Sequence, residues 1–154
     1  KVLGKGDGGV VLEVRFPLVK EGYALKVLER ASEFSCSDKF GTDGIRNEIK
    51  LAKRIQHQHI IEFQAVFSDP EHEYVLTELC EHGSLDDFLK DVRVFNEPES
   101  RLLMLQMISA VNYLHQIGVS HNDLYPRNIL VGQSLGTNQK GLILKLADFG
   151  WADI

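Results

Sequence analysis

His121-Asn122-Asp123-Leu124-Tyr125-Pro126-Arg127-Asn128 is followed, twenty residues after Asn128, by Asp148-Phe149-Gly150. Among them Asp123 and Asp148 offer carboxylates and Asn128 a carboxamide, oxygen donors suited to orienting a hydroxyl or holding a hard cation. An aspartate beside His and Asn in a loop is also an ordinary capping or turn residue, so the reading depends on what else the chain carries. Upstream, the chain opens with Gly4-Lys5-Gly6-Asp7-Gly8-Gly9-Val10-Val11, continues through Ala24-Leu25-Lys26, and then has a helix-like stretch bearing Glu48.

The pattern around these residues predicts strands first and helices later. Val10–Phe16 and Tyr23–Leu28 are rich in β-branched and aromatic residues, with Gly22 in the connection, and suggest an antiparallel pair. Residues 33–44 have loop chemistry. Ile45, Ile49, Ala52 and Ile55 then recur at helical steps, marking an amphipathic helix with Asp43 as N-cap and Glu48 beside its buried stripe. Ile60–Phe67 and Glu73–Leu79 read as two strands around Ser68-Asp69-Pro70-Glu71-His72. Leu85–Leu89 reads as a short helix. Asn96-Glu97-Pro98-Glu99 announces a long helix with an acidic first turn and a core stripe of Leu103, Met107, Ala110, Val111 and Leu114. Asn128–Val131 and Leu142–Ala147 are short strands joined by about ten residues, longer than a usual hairpin loop.

Composition bounds the function. With 44% hydrophobic and 25% charged residues in 154, the chain is an ordinary globular sequence of one core or two small lobes. Acidic residues outnumber basic ones by 22 to 17, a net charge of −5, which argues against a broad surface for DNA or RNA but not against a local cationic pocket for phosphates. Cys36 and Cys80 show no metal-type spacing, and a reducing, intracellular, cytoplasmic setting is the simplest expectation. The apolar run from Leu102 to Val119 is interrupted by Gln106, Ser109, Asn112, His115 and Gln116, so it reads as a buried helix and not as a membrane span. Residue 1 is lysine and no basic-then-apolar leader precedes the glycines, so the start reads as a cut one.

The order and content of these motifs resemble a eukaryotic protein kinase domain across essentially all 154 residues. A lone G-x-G-x-x-G is a weak signal, but here the glycines precede strand-forming valines and not a helix, which disfavours a Rossmann turn and suits a flap over phosphates. The resemblance implies an α+β, two-lobed fold: residues 1–79 the small β lobe with one helix, 80–83 the hinge, and 84–154 the first, mainly helical part of the large lobe, incomplete at its C-terminus. It implies ATP and Mg²⁺ as cofactors, and a protein substrate bearing a serine or threonine hydroxyl, with tyrosine left open. On these positions Gly4, Lys5, Gly6 and Gly9 would approach the phosphates and Val11 would pack on the base, with Ala24 also against the nucleotide; Thr77 would sit at the gate to the back pocket, and Glu78, Leu79 and Cys80 would line the purine edge. Lys26, held by Glu48, would bind phosphates. Asp123 would orient the attacking hydroxyl, and Asn128 and Asp148 would hold Mg²⁺. His121 is expected to tie its loop to the Asp148-Phe149-Gly150 turn, and the other histidines to be structural or surface residues.

Several positions depart from the family pattern. Asn122 replaces the common arginine that receives an activation-loop phosphate, so regulation by that phosphate is not expected. Tyr125 replaces the phosphate-contacting lysine usual in serine/threonine kinases and is uncharged at neutral pH. Arg127 sits where many tyrosine kinases place an arginine, whereas Pro126 and Asp148-Phe149-Gly150-Trp151 look more like serine/threonine kinases, leaving the latter slightly favoured. His-Asn-Asp is also similar to the loop of kinase-like small-molecule phosphotransferases. The sequence ends four residues after Gly150, before the substrate-binding helices. The segment alone is therefore expected to be inactive, to expose part of the stripe on the Leu102–Leu114 helix, and to be poorly stable or aggregation-prone. A pseudokinase, or an ATP-binding interaction module without transfer, is the alternative reading.

Overall fold

The structure, a computed structural model, describes residues 1–6, 9–30, 49–51, 54–91, 95–133 and 141–153. Asp43, Ile45 and Glu48, expected on the first helix, lie outside the described residues, as do Asp7 and Gly8. Two compact units are present: Lys1–Arg54 with Glu62–Leu79, and Ile55–Ile61 with Cys80–Ile154.

The first unit is an antiparallel sheet of β1 (Val2–Gly6), β2 (Gly9–Arg15), β3 (Gly22–Glu29), β4 (Phe63–Ser68) and β5 (His72–Glu78), in the order β1-β2-β3-β5-β4. Gly22 begins β3, and the connection ends before it; a Cβ there would lie 2.7 Å from the Leu79 side chain, so glycine lets the two strands' ends pack closely. Leu28, Val75 and Leu51, the last on helical residues 49–51, are the buried apolar residues among the described residues of this unit. Asp69 shapes the β4–β5 turn. Its Oδ1 accepts from the N–H groups of Glu71 (2.8 Å) and His72 (2.7 Å), and its Oδ2 accepts from the Tyr74 hydroxyl at 2.7 Å. These donors hold its carboxyl down at about 2, the Tyr74 hydroxyl contributing most.

The second unit combines α1 (Leu85–Asp91), α2 (Glu97–Gln116), a 3₁₀ turn (Pro126–Asn128), and the antiparallel pair β6 (Ile129–Gln133) and β7 (Leu142–Leu146). Ser84 caps α1, accepting from the Asp87 N–H. Asn96 and Glu99 form a reciprocal capping box at the start of α2, whose first turn carries the expected acidic residues. Gly118, at φ 77°, supplies the left-handed residue that ends the helix. Of the predicted stripe, Ala110 and Leu114 are fully buried and Leu103, Met107 and Val111 half-buried. Leu102, Met104, Leu105 and Ile108, between 54% and 65% exposed, make the apolar residues that α2 presents to solvent. The Gln106 amide clamps β7, donating to Leu142 O (3.1 Å) and accepting from Leu144 N (2.8 Å).

Strand assignments change in three places: Val2–Gly6 forms β1, which was not expected as a strand, Asn128 lies in the 3₁₀ turn and not in β6, and the start of β4 moves. Ile60 and Ile61 were expected to open the β4 strand, but β4 starts at Phe63 and both isoleucines pack in the second unit. The Ile61 N–H donates to Leu146 O at 2.9 Å, and Leu146 N donates to His59 O at 2.9 Å. Their β-branched character correctly predicts extended backbone, and this pairing with Leu146 decides which element they join. His57 anchors the same segment: its ring stacks on Tyr113 at 5.1 Å and its Nε2 lies 3.1 Å from Ser109 Oγ.

Candidate active site: a strand-borne set and a loop-borne set

In the first unit, strand register sets the candidate nucleotide groups. The β1–β2 hairpin pairs Gly4 with Val11, Lys5 with Val10 and Gly6 with Gly9. Gly9 has φ 113°, and a Cβ there would fall 2.0 Å from the Val27 carbonyl oxygen, so the close approach admits only glycine. Val11 is also the cross-strand partner of Lys26, Lys26 of Val75, and Ala24 of Thr77. Directly paired residues share a face, as do residues two apart on one strand. Val11, Ala24, Lys26 and Thr77 therefore lie on one face of the sheet. Glu78 is tied at both levels: its N–H donates to Glu62 O at 3.0 Å, and its Oε1 accepts from Glu62 N at 2.8 Å. Leu79 closes this unit under Gly22, and Cys80 begins the second, its carbonyl accepting from Gly83 N at 3.3 Å.

In the second unit, side chains and not strands set the groups. His121 is 3% exposed, its ring 4.9 Å from the fully buried Phe149. Its Nδ1 accepts from the Asp123 N–H at 3.3 Å, and its Nε2 faces the Ala147 carbonyl at 3.1 Å. Only the neutral Nε2–H tautomer satisfies both contacts. Burial lowers the pKa of this ring, against the opposing pull of the Ala147 carbonyl and the nearby carboxylates. His121 thus joins the Asp123 loop to the Asp148-Phe149-Gly150 turn, as the sequence predicts.

Asp123 is held from two sides. Asn128, 6% exposed, donates from Nδ2 to the Asp123 carbonyl (2.9 Å) and to its Oδ2 (2.6 Å). Arg127 donates from Nη2 to Oδ1 (3.0 Å) and Oδ2 (3.1 Å). With Nδ2 committed twice, the group that Asn128 has left is its amide oxygen, the atom a hard cation would take. Asp148 is exposed, and its Oδ1 lies 3.4 Å from the Gly150 N–H. Asn122 and Asp148 are the non-glycine residues with positive φ among the described residues, at 64° and 63°. Asn and Asp tolerate that region best, and such residues gather at functional sites. Asn122 also donates from Nδ2 to Trp151 O at 3.1 Å, and Ser120 and Asp153 exchange backbone hydrogen bonds at 2.9 Å, so residues 120–122 grip the segment after the Asp148 turn.

The donor set suits Mg²⁺. Asn128 and Asp148 would supply one amide oxygen and one carboxylate, and Mg²⁺ characteristically takes one or two protein oxygens and completes its shell with phosphates and water. No cluster of three or more His, Cys, Asp or Glu that could hold a metal by itself occurs among the described residues. Sequence reasoning did not anticipate the Arg127–Asp123 contact. The signal available for it was a cation four residues after the aspartate.

A model of the protein kinase domain matches residues 1–154, and the chain belongs to the protein kinase family. It is 32% identical over 154 residues to serine/threonine-protein kinase 33 of Bos taurus, covering 99% of this chain and 31% of that protein. With serine/threonine-protein kinase 33 of Mus musculus it shares 33% identity over 152 residues, 97% of this chain and 30% of that protein. A serine/threonine-protein kinase of Drosophila melanogaster is 31% identical over 152 residues, 99% of this chain and 19% of that protein. The chain thus spans a third or less of the length of these relatives. No described helix is long and apolar enough to cross a membrane.

Proposed function

We propose that this chain is the nucleotide-handling part of a protein kinase that moves the γ-phosphoryl group of Mg²⁺-ATP to a protein hydroxyl, that of serine or threonine. Residues 1–79 serve as the small lobe, 80–83 as the hinge and 84–154 as the start of the large lobe. The observation that carries this reading is the Asp123 carboxylate, fixed by Asn128, Arg127 and the His121-backed loop, with His121 also bonded to Ala147 at the start of the Asp148 turn. The names of the relatives support serine or threonine as acceptor.

In this reading Gly4, Lys5, Gly6 and Gly9 let backbone N–H groups approach phosphate, Val11 and Ala24 pack on the base, and the Lys26 ammonium, with Glu48, binds phosphate oxygens. Thr77 stands at the gate to the back pocket, and Glu78, Leu79 and Cys80 face the purine edge. Asn128 and Asp148 hold Mg²⁺, which neutralises charge on the phosphates when bound. Asp123 orients the acceptor hydroxyl and takes its proton as the oxygen–phosphorus bond forms and the bond to the ADP oxygen breaks. A soluble compartment inside the cell, where ATP is available, fits this activity.

The test is transfer of labelled γ-phosphate to a protein acceptor by the full-length protein, followed by phosphoamino-acid analysis. Phosphoserine or phosphothreonine is expected, with Asp123→Asn lowering kcat by about 10²- to 10⁴-fold. ATP binding without transfer would instead establish the interaction-module alternative.

A further inference from the structure

Asn122 and Asp148 share a left-handed backbone, φ 64° and 63°, which L-residues adopt at a cost and Asn and Asp most readily. A residue keeps such a conformation where its surroundings over-determine it. Around Asp148 they do so on both flanks. Upstream, the Ala147 N–H donates to Asn128 O at 2.8 Å and its carbonyl faces His121 Nε2 at 3.1 Å. Downstream, Ala152 N closes a turn onto Phe149 O at 3.1 Å, Ser120 and Asp153 exchange backbone hydrogen bonds, and Asn122 Nδ2 donates to Trp151 O at 3.1 Å. Phe149, fully buried, pins the middle. The downstream hold thus includes a side-chain contact made by a residue that is exposed and uncharged. An exposed amide–carbonyl bond adds little to global stability. Its effect lies in where it fixes the chain, three residues after the Asp148 carboxylate.

We infer that Asn122 is a positioning residue for the metal: through the Trp151 carbonyl it holds the segment that follows Asp148, and so keeps the Asp148 carboxylate in place for Mg²⁺. The inference rests on the kinase reading and deepens it. Because the amide is neutral and its bond ends on a main-chain oxygen, this hold needs no charged partner and no covalent modification.

The experiment titrates ATP calorimetrically into the full-length protein over a series of Mg²⁺ concentrations, and with chelator, for the wild type, Asn122→Asp and Asn122→Gly. Aspartate keeps the size and the tolerance of a left-handed backbone but sets an acceptor against the Trp151 carbonyl, whereas glycine keeps the backbone and removes the side chain. Both variants should raise the Mg²⁺ concentration for half-maximal tightening of ATP by about tenfold, the scale of changes in the outer shell of a metal site. Metal-free ATP affinity and Tm should stay near wild type. An unchanged Mg²⁺ dependence overturns the inference alone, and so does a response in one variant only, which would trace to repulsion or backbone freedom and not to the lost bond. A fall in metal-free affinity or a large fall in Tm also overturns it, marking a structural role. A wild type whose ATP affinity ignores Mg²⁺ overturns the kinase reading itself.

Discussion

The two sets of candidate groups are built in opposite ways. Val11, Ala24, Lys26 and Thr77 sit within strands, and each owes its place to backbone pairing shared along a whole sheet. Asp123 and Asp148 lie outside strand and helix, with Asn128 in a single 3₁₀ turn, and individual side chains hold that region: His121 to Ala147, Asn122 to Trp151, Asn128 and Arg127 to Asp123. Pairing along a sheet distributes positional control over many weak, equivalent contacts. The loop concentrates it in a few contacts that have no substitute. The strand-borne set should therefore tolerate single changes that the loop-borne set does not.

Phe149, fully buried against His121, gives the largest expected contrast. Phe149→Ala should cost about 3–5 kcal/mol through lost burial and the cavity left behind. Val11→Ala, at a half-buried strand position, should cost only about 1 kcal/mol. Denaturant unfolding of the two variants measures both, and equal losses would break the comparison.

A smaller effect follows from pH. His57, His59 and His121 all belong to the second unit, and burial leads in pushing each below its usual 6.5. Above about 6.5 these rings are neutral whether folded or unfolded; below it the unfolded chain takes up protons that the folded unit resists, so stability falls as pH drops through the folded values. Trp151, the single tryptophan, follows the Asp148 turn and reports on this unit. Its emission should shift on going from neutral pH to about 5, ahead of any change in the far-ultraviolet signal of the sheet. Coincident changes, or none, would contradict the assignment of acid sensitivity to the loop-borne region.

Local chemistry made much of this legible in advance. The acidic first turn and the stripe of α2, and the His121 link to the Asp148 turn, each depend on residues close in sequence or on a short motif, whereas β1 and its hairpin with β2 were not among the expected strands. Ile60 and Ile61 were not assigned correctly because extended propensity does not name a partner strand, and theirs lies some eighty-five residues away at Leu146. The Gln106 clamp on β7 and the Asn122 bond to Trp151 are likewise long-range contacts of polar residues that carry no periodic signal. Arg127 was noticed only as a departure from a pattern, since its value depends on where its guanidinium lies relative to Asp123 and Tyr125.

The most direct test of the account is the affinity of the full-length protein for ATP, measured calorimetrically with Mg²⁺ and with chelator, for the wild type, Lys26→Met and Asp148→Asn. If a strand-borne ammonium and a loop-borne carboxylate serve one nucleotide, Mg²⁺ should tighten wild-type binding, Lys26→Met should weaken it under both conditions, and Asp148→Asn should abolish the increment due to the metal. Equal affinity with and without Mg²⁺, or a full increment surviving in Asp148→Asn, would contradict it.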